Sequence, residues 1–230
     1  MSKTAWAAII ITVSLFGVLV WALVSNRDTT NYTKYDHSTY IEGNEDNGQI
    51  ADHYKGSLDA KVVIIEYGDY QCPGCSSMSA RMNVIAEDYG DDILFIFRQF
   101  PMSSIHPNAR AAATAAEVAG LMGKYWEMHE TIYSNQSEWS SANATDRTNV
   151  FASYAERIGL NKDEFRELYN SKPKEPTAKI NFDTGIGKQA GVTGTPTFFL
   201  NGELLESSIW GKDEKFTAYI NEKLGRTAAE

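Results

Sequence analysis

The sequence predicts an α/β domain, built on a parallel βαβ unit with a long helical insertion, behind one N-terminal transmembrane helix. Three observations support this class. An uncharged apolar segment lies at the N-terminus, two short apolar runs flank a segment with helical spacing, and a long helix-patterned region separates these from a final strand pair. A strand, helix, strand order of this kind favours a parallel pair of strands.

The N-terminus contains the candidate membrane segment. Residues 5–24 form an uncharged stretch of twenty residues, about the length of a helix that crosses a bilayer. Trp6 and Trp21 lie near its ends, where aromatic rings favour the interface. We expect a cytoplasmic tail at 1–4, a transmembrane anchor at 5–24, and the remaining chain outside the cytoplasm. A cleaved signal peptide is the alternative and gives the same location.

Residues 25–49 are polar and have no sustained hydrophobic period, which is typical of a linker. We expect the folded domain to occupy residues 50–230. The composition is globular, with 43% hydrophobic residues and a net charge of −9. No basic cluster stands out along the chain, which argues against nucleic acid as the main partner.

The first predicted elements are two strands around a helix. Lys61 to Tyr67 and Ile93 to Phe97 are short, apolar and β-branched, as in strands buried on both faces. Apolar residues recur at helical spacing between them, up to Gly90, which can end a helix.

A long helical region follows, from about residue 106 to residue 190, with Pro173 and Pro176 interrupting it before a last helix over Lys179 to Ala190. The domain then closes with strands at Thr197 to Leu200 and Glu203 to Glu206, and a final helix. Asn201-Gly202 between these strands is typical of a hairpin turn.

The chain contains only two cysteines, Cys72 and Cys75, directly after the first strand. A structural zinc site needs four ligands, and neither a second cysteine pair nor a histidine pair is present. A structural disulfide across so small a loop would constrain the unfolded chain little. A redox pair fits best, because a helix N-terminus stabilises a thiolate. We expect Cys72 to be the nucleophile and Cys75 to resolve the mixed disulfide.

Four stretches carry a family resemblance: "EYGDYQCPGC", "FRQFP", "GKYWEMHETIY" and "GVTGTPTFFLNG". Together they resemble the DsbA-type oxidoreductases of the thioredoxin fold, and more narrowly the membrane-anchored or lipid-anchored DsbA-like proteins of bacteria. The resemblance implies a thioredoxin fold with a helical subdomain inserted at about 106–190. It also implies that no bound cofactor is needed, because the sulfurs carry the electrons.

The resemblance also implies roles for residues outside the cysteine pair. Pro196 would be a cis-proline facing the sulfurs, and Thr195 would touch them; an ordinary trans turn is the alternative. Glu66 would be a buried acid that relays a proton to or from Cys75. The alternative for Glu66 is a solvent-facing carboxylate at a strand edge.

The substrate-binding surface would include Pro73 and Gly74 beside the proline loop. Gly74 departs from the best-known strongly oxidising member, which has histidine at this position to stabilise the thiolate. We therefore expect a less depressed Cys72 pKa and a weaker oxidant than that relative. His106 and His129 are expected to cap and pack helices.

These features predict an extracytoplasmic thiol–disulfide oxidoreductase that introduces disulfide bonds into secreted or cell-envelope proteins. A quinone-linked membrane partner, similar to DsbB or to VKOR-like proteins, would reoxidise it. A membrane-anchored reductase or isomerase on the same fold remains open. So does a thioredoxin-fold chaperone without catalytic activity.

Overall fold

The computed structural model describes residues 11–18 and 30–226. Residues 11–18 are helical, but most of the anchor expected at 5–24 lies outside the described residues. None of the helices within the described ranges has both the length and the apolar character that a bilayer crossing requires. The unit that begins at Tyr32 contains the folded domain.

One mixed sheet of five strands forms the centre of this domain, in the order β1-β3-β2-β4-β5. Only the β2–β3 pair is parallel, as the βαβ prediction requires, and the other pairs are antiparallel. The strands are β1 (His53–Gly56), β2 (Val62–Gly68), β3 (Ile93–Gln99), β4 (Thr197–Leu200) and β5 (Glu203–Leu204).

The helical insertion between β3 and β4 is confirmed and contains six helices within the described residues. The helices of the domain are α1 (Pro73–Tyr89), α2 (Ala109–Leu121), α3 (Tyr125–Ser134), α4 (Gln136–Trp139), α5 (Ala144–Arg157), α6 (Lys162–Asn170), α7 (Lys174–Gln189), α8 (Ser207–Trp210) and α9 (Asp213–Lys223). Helix α7 begins five residues earlier than the sequence predicts. Pro176 lies in its first turn, where the missing N–H costs no intrahelical hydrogen bond.

Strand β2 is central and buried on both faces, which explains its nearly continuous apolar sequence. Val62 and Ile64 belong to the main core, with α1 and most of the insertion, whereas Ile65 and Tyr67 pack on the opposite side with α7. Because strand side chains alternate, Glu66 projects to the same face as Ile64, towards α1.

The linker expected at 25–49 is wrong for residues 32–49, which pack on the domain. The ring of Tyr35 meets that of Phe182 edge-on, with ring centroids 4.7 Å apart. The buried guanidinium of Arg98 donates to the carbonyl oxygens of His37 and Thr39, each at 2.6 Å. Residues 32–49 can pack without strands or α-helices of their own because Arg98 on β3 donates hydrogen bonds to their backbone carbonyl groups. A hydropathy pattern does not reveal hydrogen-bond donors from a distant strand.

Arg98 belongs to a cluster of buried charges on the α7 side of the sheet. Asp52 lies 2.7 Å from Arg98 and 2.8 Å from Lys179, and Lys179 lies 2.7 Å from Asp183. Burial opposes the charge on Asp52, but Arg98 and Lys179 hold its pKa well below its usual range. The cluster joins α7, β3 and the chain before β1.

Candidate active site

The two cysteines lie at the junction of β2 and α1. Cys72 is the N-cap residue of α1, Pro73 opens the helix, and Cys75 lies in its first turn. Both are free thiols; Cys72 is 8% exposed and Cys75 is fully buried. The unpaired N–H groups of a helix N-terminus therefore face the sulfur that is closer to solvent.

The environment shifts the pKa values of the two thiols in opposite directions. A hydrogen bond from the Cys75 thiol, supported by backbone N–H groups and the Thr195 side chain, lowers the pKa of Cys72 to about 5, although burial works against it. Burial raises the pKa of the Cys75 thiol far above its usual range. The value for Cys72 lies between about 7 for thioredoxin and about 3.5 for DsbA.

The proline loop before β4 lies directly against the cysteine pair. The Thr195–Pro196 peptide bond is cis, as the resemblance implies. The Cys72 Sγ atom lies 3.3 Å from the carbonyl oxygen of Thr195. A Cβ atom at Gly74 would lie 3.2 Å from Cδ of Pro196 and 3.7 Å from Cys72 Sγ, so the loop and the helix turn are in close contact.

Glu66 is buried on β2, not at a solvent-facing edge, with 1% of its surface exposed. Burial, and secondarily the nearby charge of Cys72, raise the pKa of its carboxyl to about 8. Its Oε1 atom has no hydrogen-bond partner within the described part of the chain. The carboxyl can therefore hold a proton near neutral pH beside the cysteine pair.

The Tyr133 hydroxyl is a second buried polar group without a partner among the described residues. Burial raises its pKa, and the charges of Cys75 and Glu66 raise it further. A Cβ atom at Gly68 would overlap Cε2 of Phe97 and lie 3.2 Å from this hydroxyl, so glycine leaves room mainly for the Phe97 ring beside it. The sequence analysis did not single out Tyr133.

Asp69 is another site residue that the sequence analysis missed. Its carboxylate accepts the N–H of Gln71 at 2.7 Å and that of Met102 at 2.8 Å. It also lies 2.9 Å from Nδ1 of His106. Asp69 therefore fixes the turn before Cys72, and His106 supports that turn where a simple helix cap was expected. An acid three residues before the first cysteine was the available signal.

Gln136 reaches the same turn from the insertion. Its side-chain amide donates to the carbonyl oxygens of Tyr70 at 2.8 Å and Cys72 at 3.1 Å. No local pattern could reveal this contact, because the partners are more than sixty residues apart.

His129 is buried in the insertion, which confirms the packing role expected for it. Its Nδ1 atom lies 2.9 Å from the Tyr70 hydroxyl, and its Nε2 atom lies 3.4 Å from Oγ of Ser79. Burial lowers the pKa of its imidazole well below the usual value. Within the ranges that the structure describes, no three His, Cys, Asp or Glu side chains form a group suited to a metal ion.

Comparisons with known proteins support a thioredoxin fold. A family model described as thioredoxin matches residues 49–222. BdbD from Bacillus subtilis superposes with a TM-score of 0.65 at 18% identity, over 83% of this chain and all of that one. The alpha-DsbA1 protein of Wolbachia pipientis superposes with a TM-score of 0.61 at 25% identity, over 76% of this chain and 91% of that one.

Curated proteins similar in sequence include two proteins named as sodium/proton antiporters. NhaA 1 of Salinispora arenicola is 36% identical over 151 residues, which are 66% of this chain and 22% of the antiporter. NhaA 1 of Mycolicibacterium vanbaalenii is 33% identical over 153 residues, or 66% of this chain and 23% of that protein. The chain thus spans less than a quarter of these relatives, and the similarity concerns one segment of each.

Proposed function

Because this chain belongs to the thioredoxin family and has the fold of the DsbA-like thiol–disulfide oxidoreductases, we propose that it introduces disulfide bonds into secreted or cell-envelope proteins. The observation that carries the proposal is the lowered pKa of Cys72, about 5, beside a buried Cys75 thiol. A stabilised thiolate stabilises the dithiol form, and a stable dithiol form makes the disulfide a stronger oxidant.

In the proposed reaction a substrate thiolate attacks Sγ of Cys72 in the Cys72–Cys75 disulfide. A new sulfur–sulfur bond forms, and Cys75 leaves with the electron pair and takes up a proton. The second thiolate of the substrate then attacks the substrate sulfur of the mixed disulfide and expels Cys72 as a thiolate. Two electrons pass from the substrate dithiol to the enzyme.

Glu66 is proposed as the group that supplies the proton to Cys75 and takes it back on reoxidation. Its raised pKa, about 8, suits a group that exchanges protons near neutral pH. Cys75 is fully buried and has little access to water, which supports a role for an internal acid.

Pro73, Gly74, Thr195 and Pro196 are proposed as the surface that receives an extended substrate segment. Pro73 and Gly74 are exposed, and Thr195 and Pro196 are half-buried. The backbone of this loop can pair with a substrate chain while the sulfur of the substrate cysteine approaches Cys72.

We further propose that residues 5–24 anchor the protein in the membrane, with the domain on the outer face, in the periplasm or at the cell surface. The uncharged length of this segment supports the proposal, as do the exposed apolar side chains of Ile11, Leu15 and Phe16. Reoxidation is assigned to a quinone-linked membrane protein similar to DsbB or to VKOR-like proteins, and the domain itself needs no cofactor.

A reductase or isomerase on the same fold is the second candidate, because Gly74 places no cation beside Cys72 to favour the thiolate. Equilibration in glutathione buffers measures the Cys72–Cys75 reduction potential and separates the two. A value well above the thioredoxin value of about −270 mV supports the oxidase, whereas a value at or below it supports the reductase. A non-catalytic chaperone would keep its activity in Cys72→Ser, and the oxidase would lose it.

A further inference from the structure

A cavity of about 520 Å³ lies within the helical insertion, between α2, α5, α6 and α7. Its volume is in the range typical of small-molecule sites, about 300–1,000 Å³. Three of its lining side chains are cations: Arg110, Arg147 and Lys172. No aspartate or glutamate lines it.

The three cations of the cavity are not paired with carboxylates among the described residues; Arg110 and Arg147 are half-buried and Lys172 is exposed. Arg98 and Lys179, the buried cations of the α7 cluster, are paired with carboxylates. In the part of the chain that the structure describes, neither the two arginines nor Lys172 forms a salt bridge. The cavity therefore gathers three positive charges with no carboxylate partner among the described residues, in a chain whose net charge is −9.

The cavity also contains an unused hydrogen-bond donor. The Nε–H group of Arg147 is buried and has no partner among the described residues, although its Nη1 atom donates to Asn108. Arg110 donates through Nη2 to Asn181 at 2.6 Å. Burial lowers the pKa of Arg110, and no neighbouring carboxylate offsets this effect. A bound anion would supply the missing acceptors and charge.

A second cavity, of about 370 Å³, adjoins the first and contains another such donor. Its lining adds Arg166, whose Nη1 atom pairs with Asp163 at 2.9 Å but whose Nε–H group is buried without a partner within the described residues. The two cavities share three lining residues: Ala144, Thr148 and Asn170.

We propose that the cavity between α2, α5, α6 and α7 binds a small molecule with two or more oxyanionic charges, such as a phosphate ester or a polycarboxylate. Guanidinium groups present paired N–H donors that match the geometry of phosphate and carboxylate oxygens. The site requires neither the cysteine pair nor its redox chemistry, so it can be tested independently of the proposed disulfide exchange.

Calorimetric titration of the purified full chain with pyrophosphate and with citrate, at constant ionic strength, tests the proposal. We expect saturable binding at one site per chain for at least one of the two. Tighter binding of pyrophosphate would identify a phosphate ligand, and tighter binding of citrate would identify a carboxylate ligand. Absence of saturable binding in both arms would overturn the proposal.

Three variants locate the site. Arg110→Gln and Lys172→Gln should each weaken binding at least tenfold, about the effect of losing one charge-assisted hydrogen bond. Arg157→Gln is the matched control, because Arg157 lies on α5, packs on the Tyr154 ring and does not line the cavity. Equal weakening by Arg157→Gln would indicate a general charge effect and overturn the assignment. The melting temperature of each variant establishes that it is folded.

Discussion

The carbonyl oxygen of Thr195 lies 3.3 Å from Sγ of Cys72, so the cis-proline loop and the N-terminus of α1 meet at one sulfur. The same residue contributes its side chain to the stabilisation of the Cys72 thiolate, together with Cys75 and Gly74. The reactive sulfur is thus held by groups from two parts of the chain more than a hundred residues apart.

Thr195→Val tests the part of this stabilisation that comes from the loop. The variant keeps the shape of the side chain but removes its hydroxyl, so the pKa of Cys72 should rise by about one to two units, given about 1.5–3 kcal/mol for a hydrogen bond to a charged group. The ultraviolet absorbance of the thiolate, followed against pH, measures it. Thr197→Val is the control, because the Thr197 hydroxyl donates to the Gly194 carbonyl. An unchanged pKa in Thr195→Val would assign the effect to α1 alone.

Glu66→Gln should change how stability depends on pH. The pKa of Glu66 is about 8 in the folded protein and about 4.5 when unperturbed. Because the folded pKa is raised, the wild type should lose stability as pH rises from about 4.5 to about 8, where the unfolded chain releases a proton that the folded chain retains. Glu66→Gln lacks this loss, so its free energy of unfolding should increase relative to that of the wild type as pH rises from about 4.5 to about 8.

Urea unfolding of the reduced proteins at several pH values measures this difference. The control is Glu87→Gln, which alters an exposed carboxyl on α1. A constant difference between Glu66→Gln and the wild type from pH 4.5 to 8 would contradict the raised pKa.

Gly74→His should make the disulfide more oxidising. A protonated imidazole beside Cys72 would stabilise the thiolate and lower its pKa further. Each pKa unit corresponds to about 1.4 kcal/mol, and so to a rise of about 30 mV in the two-electron potential. Gly74→Ala introduces the same Cβ atom against Pro196 without the charge, and separates the steric effect from the electrostatic one. Equal potentials in the two variants would rule out the charge effect.

Asp52→Asn should destabilise the domain strongly. It removes the carboxylate that Arg98 and Lys179 share, and leaves two buried cations short of a counter-charge. Breaking a buried pair in this way costs about 3–5 kcal/mol. Glu156→Gln, which breaks the surface pair with Lys162, is the control and should cost about 0–1 kcal/mol. Urea unfolding compares the two, and similar losses would contradict the importance of the buried cluster.

The α/β order, the βαβ unit and the helical insertion follow from hydrophobic periodicity, because burial imposes a period of two on strands and about 3.6 on helices. The sequence pattern predicts the start of α7 five residues too late, because Pro176 has the local sequence of a helix interruption. A proline in the first helical turn and a proline between helices have the same local sequence, and only the neighbouring packing distinguishes them.

The sequence by itself determined the class of the domain, the position of Cys72 and Cys75 after a buried strand, and the family resemblance that pointed to Glu66, Thr195 and Pro196. The tertiary structure alone decided that Gln136 binds the cysteine turn, that residues 32–49 pack on the sheet, and that Arg110, Arg147 and Lys172 surround one cavity. The physical reason is that periodicity encodes which side of an element is buried. Which buried sides meet depends on how distant elements pack, and a local pattern does not contain that information.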